Sequence, residues 1–176
     1  MSTLSRLDPV FVMLCGLPGS GKTTIRKRID HAWDFPGCQV VATDDWIELA
    51  AQKERKTYSD VFTSAIEWAT VEAQKQLERA FTFGWSVMQD QTNLTVKRRR
   101  AKMESVPKGY RKVCLFVTCD EDVRQLRLAN RLGKIIPEGV DKVMRESWEP
   151  PSLAEGWDVV APSYLWAPVL FPYLSP

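Results

Sequence analysis

Residues 16–23 read G-L-P-G-S-G-K-T and directly follow the apolar run V-F-V-M-L-C of residues 10–15. The spacing fits the template G-x-x-x-x-G-K-[ST], which binds phosphate when it joins a strand to a helix. Gly16, Gly19 and Gly21 let the chain turn tightly and aim backbone N–H groups inward at an anion. A helix starting near Lys22 adds its positive N-terminal end. Lys22 can reach the β- and γ-phosphates, and the Thr23 hydroxyl can bind Mg²⁺. Ser20 and Thr24 complete the stretch. These residues predict a bound nucleoside triphosphate, taken to be ATP.

Three further groups could act on that phosphate. Asp44 and Asp45 follow the second apolar run, where a carboxylate can accept the proton of an attacking hydroxyl. One of the pair could instead N-cap the next helix. Asp90, in Q-D-Q-T-N-L after the third run, resembles an acid that holds Mg²⁺ directly or through water. Its alternative is a turn acid bonded to its own backbone. Either Asn93 or Thr95 is expected to cap the helix that follows. Arg124, Arg127 and Arg131 recur at i, i+3 and i+7, so they would share one helix face until Gly133 breaks it. A basic segment ending in a flexible joint suits a phosphate lid, whereas a salt-bridged amphipathic helix is the simpler reading. The run Lys97, Arg98, Arg99, Arg100 with Lys102 is either a solvated helix face or a patch that tracks nucleic-acid phosphates.

The elements that must position these groups follow from the pattern. Buried parallel strands are predicted at 10–15, 39–43, 86–89, 112–118 and 157–160. Helices are predicted at 22–33, 58–83, 95–105, 120–132 and 139–148, with Asp120 capping the fourth. The alternation implies an α/β fold, with a parallel sheet covered by helices on both faces. Ligands in such sheets bind beyond the C-terminal strand ends, where all the candidate residues fall. The lid would span about 124–137 in a single domain covering 1–176.

Bulk properties exclude little. The 176 residues carry a net charge of +2, with 44% hydrophobic and 26% charged residues, as in an ordinary soluble globule. That charge neither demands nor excludes nucleic acid. No apolar run approaches the roughly 18 residues of a membrane span. The N-terminus lacks an apolar leader core, so a cytoplasmic location is expected. Cys15, Cys38, Cys114 and Cys119 form no C-x-x-C pair and read as free thiols. The tail from Ala161 to Pro176 holds four prolines with Tyr164, Trp166, Phe171 and Tyr173. It is expected to pack on the domain as an apolar strap.

Taken in order, these motifs resemble the kinase domain of the phage polynucleotide 5′-kinase family, with its zeta-toxin-like relatives. The likeness runs from about Val10 to Val160. The family pattern is G-x-P-G-S-G-K-[ST], an aspartate pair, D-x-T-N, an arginine-rich lid, a proline-led helix, then P-x-x-x-E-G-[FW]-D. Here these are Gly16 to Thr23, Asp44 and Asp45, Asp90 to Asn93, Arg124 to Lys134, Pro137, and Pro151 to Asp158. The resemblance implies a P-loop three-layer sandwich that uses ATP and Mg²⁺, with Thr23 and Asp90 at the metal. Asp44 would be the general base, Lys22 would serve the donor phosphates, and Arg131 with Arg127 would clamp the transferring group. Asp45, Trp46, Asp90 and Asn93 would lie on the acceptor side.

One departure stands out. The 5′-end kinases carry a phosphate-gripping arginine three residues beyond the first aspartate, and this chain has Ile47 there. An acceptor hydroxyl on a modified base therefore fits better, such as 5-hydroxymethyluracil in phage DNA undergoing hypermodification. The location would then be the host cytoplasm. Trp46 could stack such a base or belong to the core of the following helix. The alternatives are a 5′-hydroxyl end, and a small-molecule acceptor such as a nucleoside, sugar or antibiotic.

Overall fold

A computed structural model describes residues 8–32 and 38–170. Five strands form one parallel sheet: β1 (Val10–Cys15), β2 (Cys38–Val41), β3 (Ser86–Asp90), β4 (Arg111–Phe116) and β5 (Val159–Pro162). Their order across the sheet is β2-β3-β1-β4-β5, so the loop after the central strand opens in the middle of the sheet. The α/β expectation with a parallel sheet holds. The expected strands all occur, with ends displaced by up to two residues.

Strand alternation sorts the core into two layers. Phe11, Met13, Cys15, Val87 and Cys114 face one side. Val12, Leu14, Met88, Val113 and Leu115 face the other. The first side is covered by α3 (Tyr58–Thr82), through Ala73, Leu77 and Ala80, and by α4 (Val96–Met103), through Met103. Trp157 stacks on Phe11 there, with ring centroids 6.4 Å apart. The second side is covered by Ile29 of α1 (Lys22–Ala32) and Leu170 of α7 (Trp166–Leu170). The tail is thus a strap as far as Leu170, where Arg111 Nη1 also donates to the Val169 carbonyl at 2.9 Å. Phe171 and Tyr173 lie outside the described residues.

One helix, α2 (Thr43–Glu54), lies outside the predicted ranges. It begins right after β2 and packs Ile47 and Ala51 against Val61, Ala65 and Ala69 of α3. The remaining helices are α5 (Glu121–Ala129) and α6 (Glu138–Glu146). Two expected caps are corrected. Asp120 stands at the N-cap of α5 as expected, but its side chain makes no cap bond among the described residues; only its carbonyl is engaged, by the Arg124 N–H at 2.9 Å. Neither Asp44 nor Asp45 caps α2: both lie inside its first turn, where they still favour the positive helix end. Thr95 is the residue that caps α4, accepting from the Arg98 N–H at 3.2 Å.

Among the described residues no helix is long and apolar enough to cross a membrane. All four cysteines are free. Cys15 and Cys114 are buried on neighbouring strands with sulfurs 3.3 Å apart.

Candidate active site

The loop between β1 and α1 has positive φ at Gly16, Gly19 and Gly21. At Gly16 a Cβ would overlap the Val117 carbonyl oxygen and press on Ser20 Oγ, so only glycine fits. The Ser20 hydroxyl is buried and has no hydrogen-bond partner among the described residues. A buried polar atom without a partner is costly, and here it lies in the cradle a phosphate would fill. Lys22 Nζ folds back onto the Gly16 and Leu17 carbonyls at 2.8 and 2.9 Å. Burial pulls its pKa down to about 8, against the opposing pull of Asp90 and Asp44. A polyanion would meet this lysine as its natural counter-ion. Thr23 and Thr24 are exposed at the start of α1.

Asp90 ends β3 beside the loop. Burial pushes its carboxyl up, while Lys22 and Arg26 pull it down, and burial prevails. Among the described residues no group of three or more His, Cys, Asp or Glu could hold a metal by itself. Thr23 and Asp90 fit a metal whose other ligands are phosphate oxygens and water. Arg26 sits between the acids: its Nη1 is 2.8 Å from Asp45 and 3.5 Å from Asp90. Its position four residues after Lys22 on α1 was a signal that could have found it.

Asp44 is held from two sides. Tyr58 OH donates to its Oδ1 at 2.7 Å, and Lys134 Nζ to its Oδ2 at 2.5 Å. Partial burial favours the neutral acid, but Lys134, Tyr58 and Arg131 outweigh it and lower the pKa. The side chain is 54% exposed. Nothing local in the sequence linked Tyr58 or Lys134 to Asp44, since Tyr58 opens the next helix 14 residues on and Lys134 lies 90 residues on.

The lid arginines divide. Arg127 stays near the loop, donating to the Ser20 carbonyl at 3.1 Å. Arg131 lies beyond the end of α5 and is close enough to act on the charges of both Lys22 and Asp44. Arg124 does not join them. It is buried, with its guanidinium bonded to Asp141, Glu121 and the Pro18 carbonyl, so it braces the lid against the phosphate loop. The helical repeat put all three on one face, but the helix stops at Ala129 and packing takes Arg124 inward.

Three other expectations change. Asn93 is only 2% exposed and does not face an acceptor. Its Nδ2 donates to the Leu14 carbonyl at 2.7 Å, and its Oδ1 accepts from Lys102 at 2.5 Å. Trp46 packs edge-on against Trp68, with its indole N–H on Gln76 at 3.3 Å. It therefore sits within the α2–α3 packing rather than standing free to stack a base. The basic run is neither a plain solvated face nor a continuous patch, because Arg99 is wholly buried. Its guanidinium clasps Glu155 at 2.7 and 2.8 Å and three backbone carbonyls, of Asn93, Leu94 and Glu149. The E-G-W-D segment is thus the buried counter-ion for the helix after β3. Gly133 is also no free joint: its carbonyl accepts from Ser59 N at 3.0 Å.

The phosphate loop, Asp90 at the end of the adjoining strand, Asp44 in the first turn of α2 and a lid arginine whose charge reaches Lys22 and Asp44 fit an ATP-dependent phosphotransferase, as the family match shows. The chain belongs to the AAA domain family AAA_33, whose profile matches residues 11–151. Solved structures share the fold at low identity. A kinase-like protein of Chloroflexus aurantiacus superposes with a TM-score of 0.67 at 14% identity, covering 98% of this chain and 91% of that one. A gluconokinase from Sinorhizobium meliloti gives 0.52 at 21%, covering 89% and 83%. The Pnkp1/Rnl/Hen1 complex gives 0.56 at 14%, with 78% of this chain covered but only 44% of that chain.

Proposed function

We propose that this protein transfers the γ-phosphoryl group of ATP to a hydroxyl on nucleic acid, with a base-borne hydroxymethyl group such as 5-hydroxymethyluracil in DNA favoured over a 5′-hydroxyl end. The observation that carries the kinase reading is the half-exposed, ionised Asp44, which shares the fields of Lys22 and Arg131. Asp44 takes the proton of the acceptor hydroxyl as its oxygen attacks phosphorus. The bond from phosphorus to the ADP oxygen breaks, and the departing charge falls on ADP. Lys22, Ser20, Thr24 and the N–H groups of Gly19 and Gly21 hold the donor phosphates, while Gly16, whose own N–H is bonded to the Thr92 carbonyl at 2.9 Å, makes the close turn that opens the cradle. Arg131, with Arg127, stabilises charge on the moving group. Thr23 and Asp90 would hold Mg²⁺, which neutralises phosphate charge when bound. Asp45, bound to Arg26, shapes the acceptor side.

The preference for a base rests on Ile47. This position is fully buried between α2 and α3, so no side chain there reaches an acceptor phosphate. Exposed Lys97, Arg98 and Arg100 on α4 suit a phosphate backbone. The small-molecule reading draws on the other wall. The α2–α3 pair carries eight carboxylates against three cations, a poor surface for a polyanion.

Label from γ-labelled ATP decides between them. The tubes hold duplex containing 5-hydroxymethyluracil, a 5′-hydroxyl oligonucleotide and free nucleosides. Nuclease digestion of the labelled duplex should release a 5-phosphomethyl nucleotide. Label on the oligonucleotide end alone moves the acceptor to 5′-termini, and label on free nucleosides alone removes nucleic acid.

A further inference from the structure

Asp44 sits on α2, yet the atoms that fix its carboxylate belong to α3 and to the lid. Tyr58, the first residue of α3, takes Oδ1, and Lys134 takes Oδ2. Lys134 also lies 3.6 Å from Glu48, one turn along α2, and its ammonium is 3.9 Å from the centre of the Tyr58 ring. The three side chains form one packed unit.

The backbone carrying Lys134 is bonded to the same turn that carries Tyr58. Ser59 N–H donates to the Gly133 carbonyl at 3.0 Å, and Ile135 N–H donates to Ser59 Oγ at 2.9 Å. Gly133 has a φ of +71°, and a Cβ there would stand 2.9 Å from Thr57 Cβ. Thr57 is itself fixed as the cap of α3, in a reciprocal pair with Asp60. The lid joint is therefore seated on the start of α3.

This arrangement bears on the base. A half-exposed aspartate in a first turn is free to swing. Donors on both oxygens fix its plane, and each oxygen keeps a second lone pair for an incoming hydroxyl. A cation held against it keeps it ionised, the state that can accept a proton. The other charges around it are Arg131 from the lid, Lys22 and Asp90 from the donor side, and Glu48 from its own helix.

We propose that Tyr58 and Lys134 are positioning residues for Asp44: the phenol fixes the plane of the carboxylate, and the lysine, carried on the lid joint, makes the base ready only when the joint is seated. This rests on the reading of Asp44 as the proton acceptor. The lysine thus links the two halves of the site: the lid that clamps the phosphoryl group also delivers the partner of the base.

The test has two readouts on the full chain. In protein labelled with ¹³C at aspartate carboxyls, the Asp44 resonance is assigned by its loss in Asp44→Asn. Lys134→Met should move the Asp44 titration to higher pH, Tyr58→Phe should move it the same way by less, and Lys134→Arg should restore it. Turnover on the duplex containing 5-hydroxymethyluracil, or on a 5′-hydroxyl oligonucleotide if that is the one labelled, should fall by on the order of tenfold at pH 5 in Lys134→Met, with KM for ATP unchanged. An Asp44 titration unmoved by both Lys134→Met and Tyr58→Phe overturns the proposal, even where Asp44→Asn is inactive. An active Asp44→Asn overturns the assignment of the base instead, whatever the titrations show.

Discussion

The donor and acceptor halves of the proposed site are built in opposite ways. The donor half is one stretch, Gly16 to Thr24, and its geometry lies mostly in the backbone: three residues at positive φ and a helix start. The acceptor half is assembled from side chains of α1, α2, α3 and the lid joint, each from a different part of the chain. A backbone cradle needs only its own residues to take shape. A side-chain constellation needs every supporting element in place first, so it is the more sensitive to remote change.

Substitutions at the two centres should separate the halves. Asp44→Asn removes the proposed proton acceptor and keeps the shape. It should lower kcat by about 10²- to 10⁴-fold while leaving ATP affinity near that of the wild type. Lys22→Ala should cost about 10²- to 10³-fold in kcat and weaken ATP binding as well, since one ammonium serves both ground and transition states. Single-turnover rates and calorimetric ATP binding check both. Equal loss of ATP affinity in the two variants would erase the division into halves.

The next effect is on stability, at the buried arginines supporting each side. Arg99 holds the loop after β3 through the Asn93 and Leu94 carbonyls and Glu155, and Asn93 in turn holds the end of β1. Arg124 ties the lid to Pro18 and Asp141. Arg99→Met strands the buried Glu155 charge and should cost about 3–5 kcal/mol in denaturant unfolding, and Arg124→Met should cost less, since Arg145 Nε stays 3.2 Å from Asp141. The acid limb of stability carries the same signature. Burial pushes the Glu155 carboxyl up, but Arg99, Ser152 and Trp157 pull it lower still, and Arg124 lowers Asp141. A depressed folded pKa stabilises above the ordinary carboxylate range, and that share is lost as pH falls through the folded value. Stability of the wild type should therefore fall below about pH 4, with a shallower slope in Arg99→Met.

These arginines also show where sequence reading stopped. Strand runs and the phosphate loop were legible because each is set by a few adjacent residues, and the α4 cap was narrowed to Asn93 or Thr95 for the same reason. Arg99 stood in a run of five cations, and charge alone could not say that one of them turns inward to Glu155, 56 residues away. Arg124 obeyed the helical repeat, but the helix ended before Arg131 and the repeat stopped meaning a shared face. Tyr58 and Lys134 carried no local sign of Asp44. Their roles exist only once α3 and the lid joint have docked.

The smallest expected effect concerns Trp46, where sequence and structure part over the acceptor itself. As a platform for a flipped base, the ring would contribute to acceptor affinity. As found, its N–H bonds Gln76 and its edge meets Trp68, while Gln76 reaches on to the Val40 carbonyl at 3.0 Å. Trp46→Phe keeps an aromatic face but deletes the N–H. It should cost about 1 kcal/mol of stability through the Gln76 oxygen left without its donor. KM for the acceptor should stay within about twofold of the wild type, because the ring packs between α2 and α3 and not on the acceptor. Trp46→Leu sharpens the contrast: stability falls further as ring packing is lost, and KM stays flat if the ring belongs to the α2–α3 interface. A rise in KM that outruns the loss of stability would return Trp46 to the acceptor side and extend the acceptor half onto the outer face of α2.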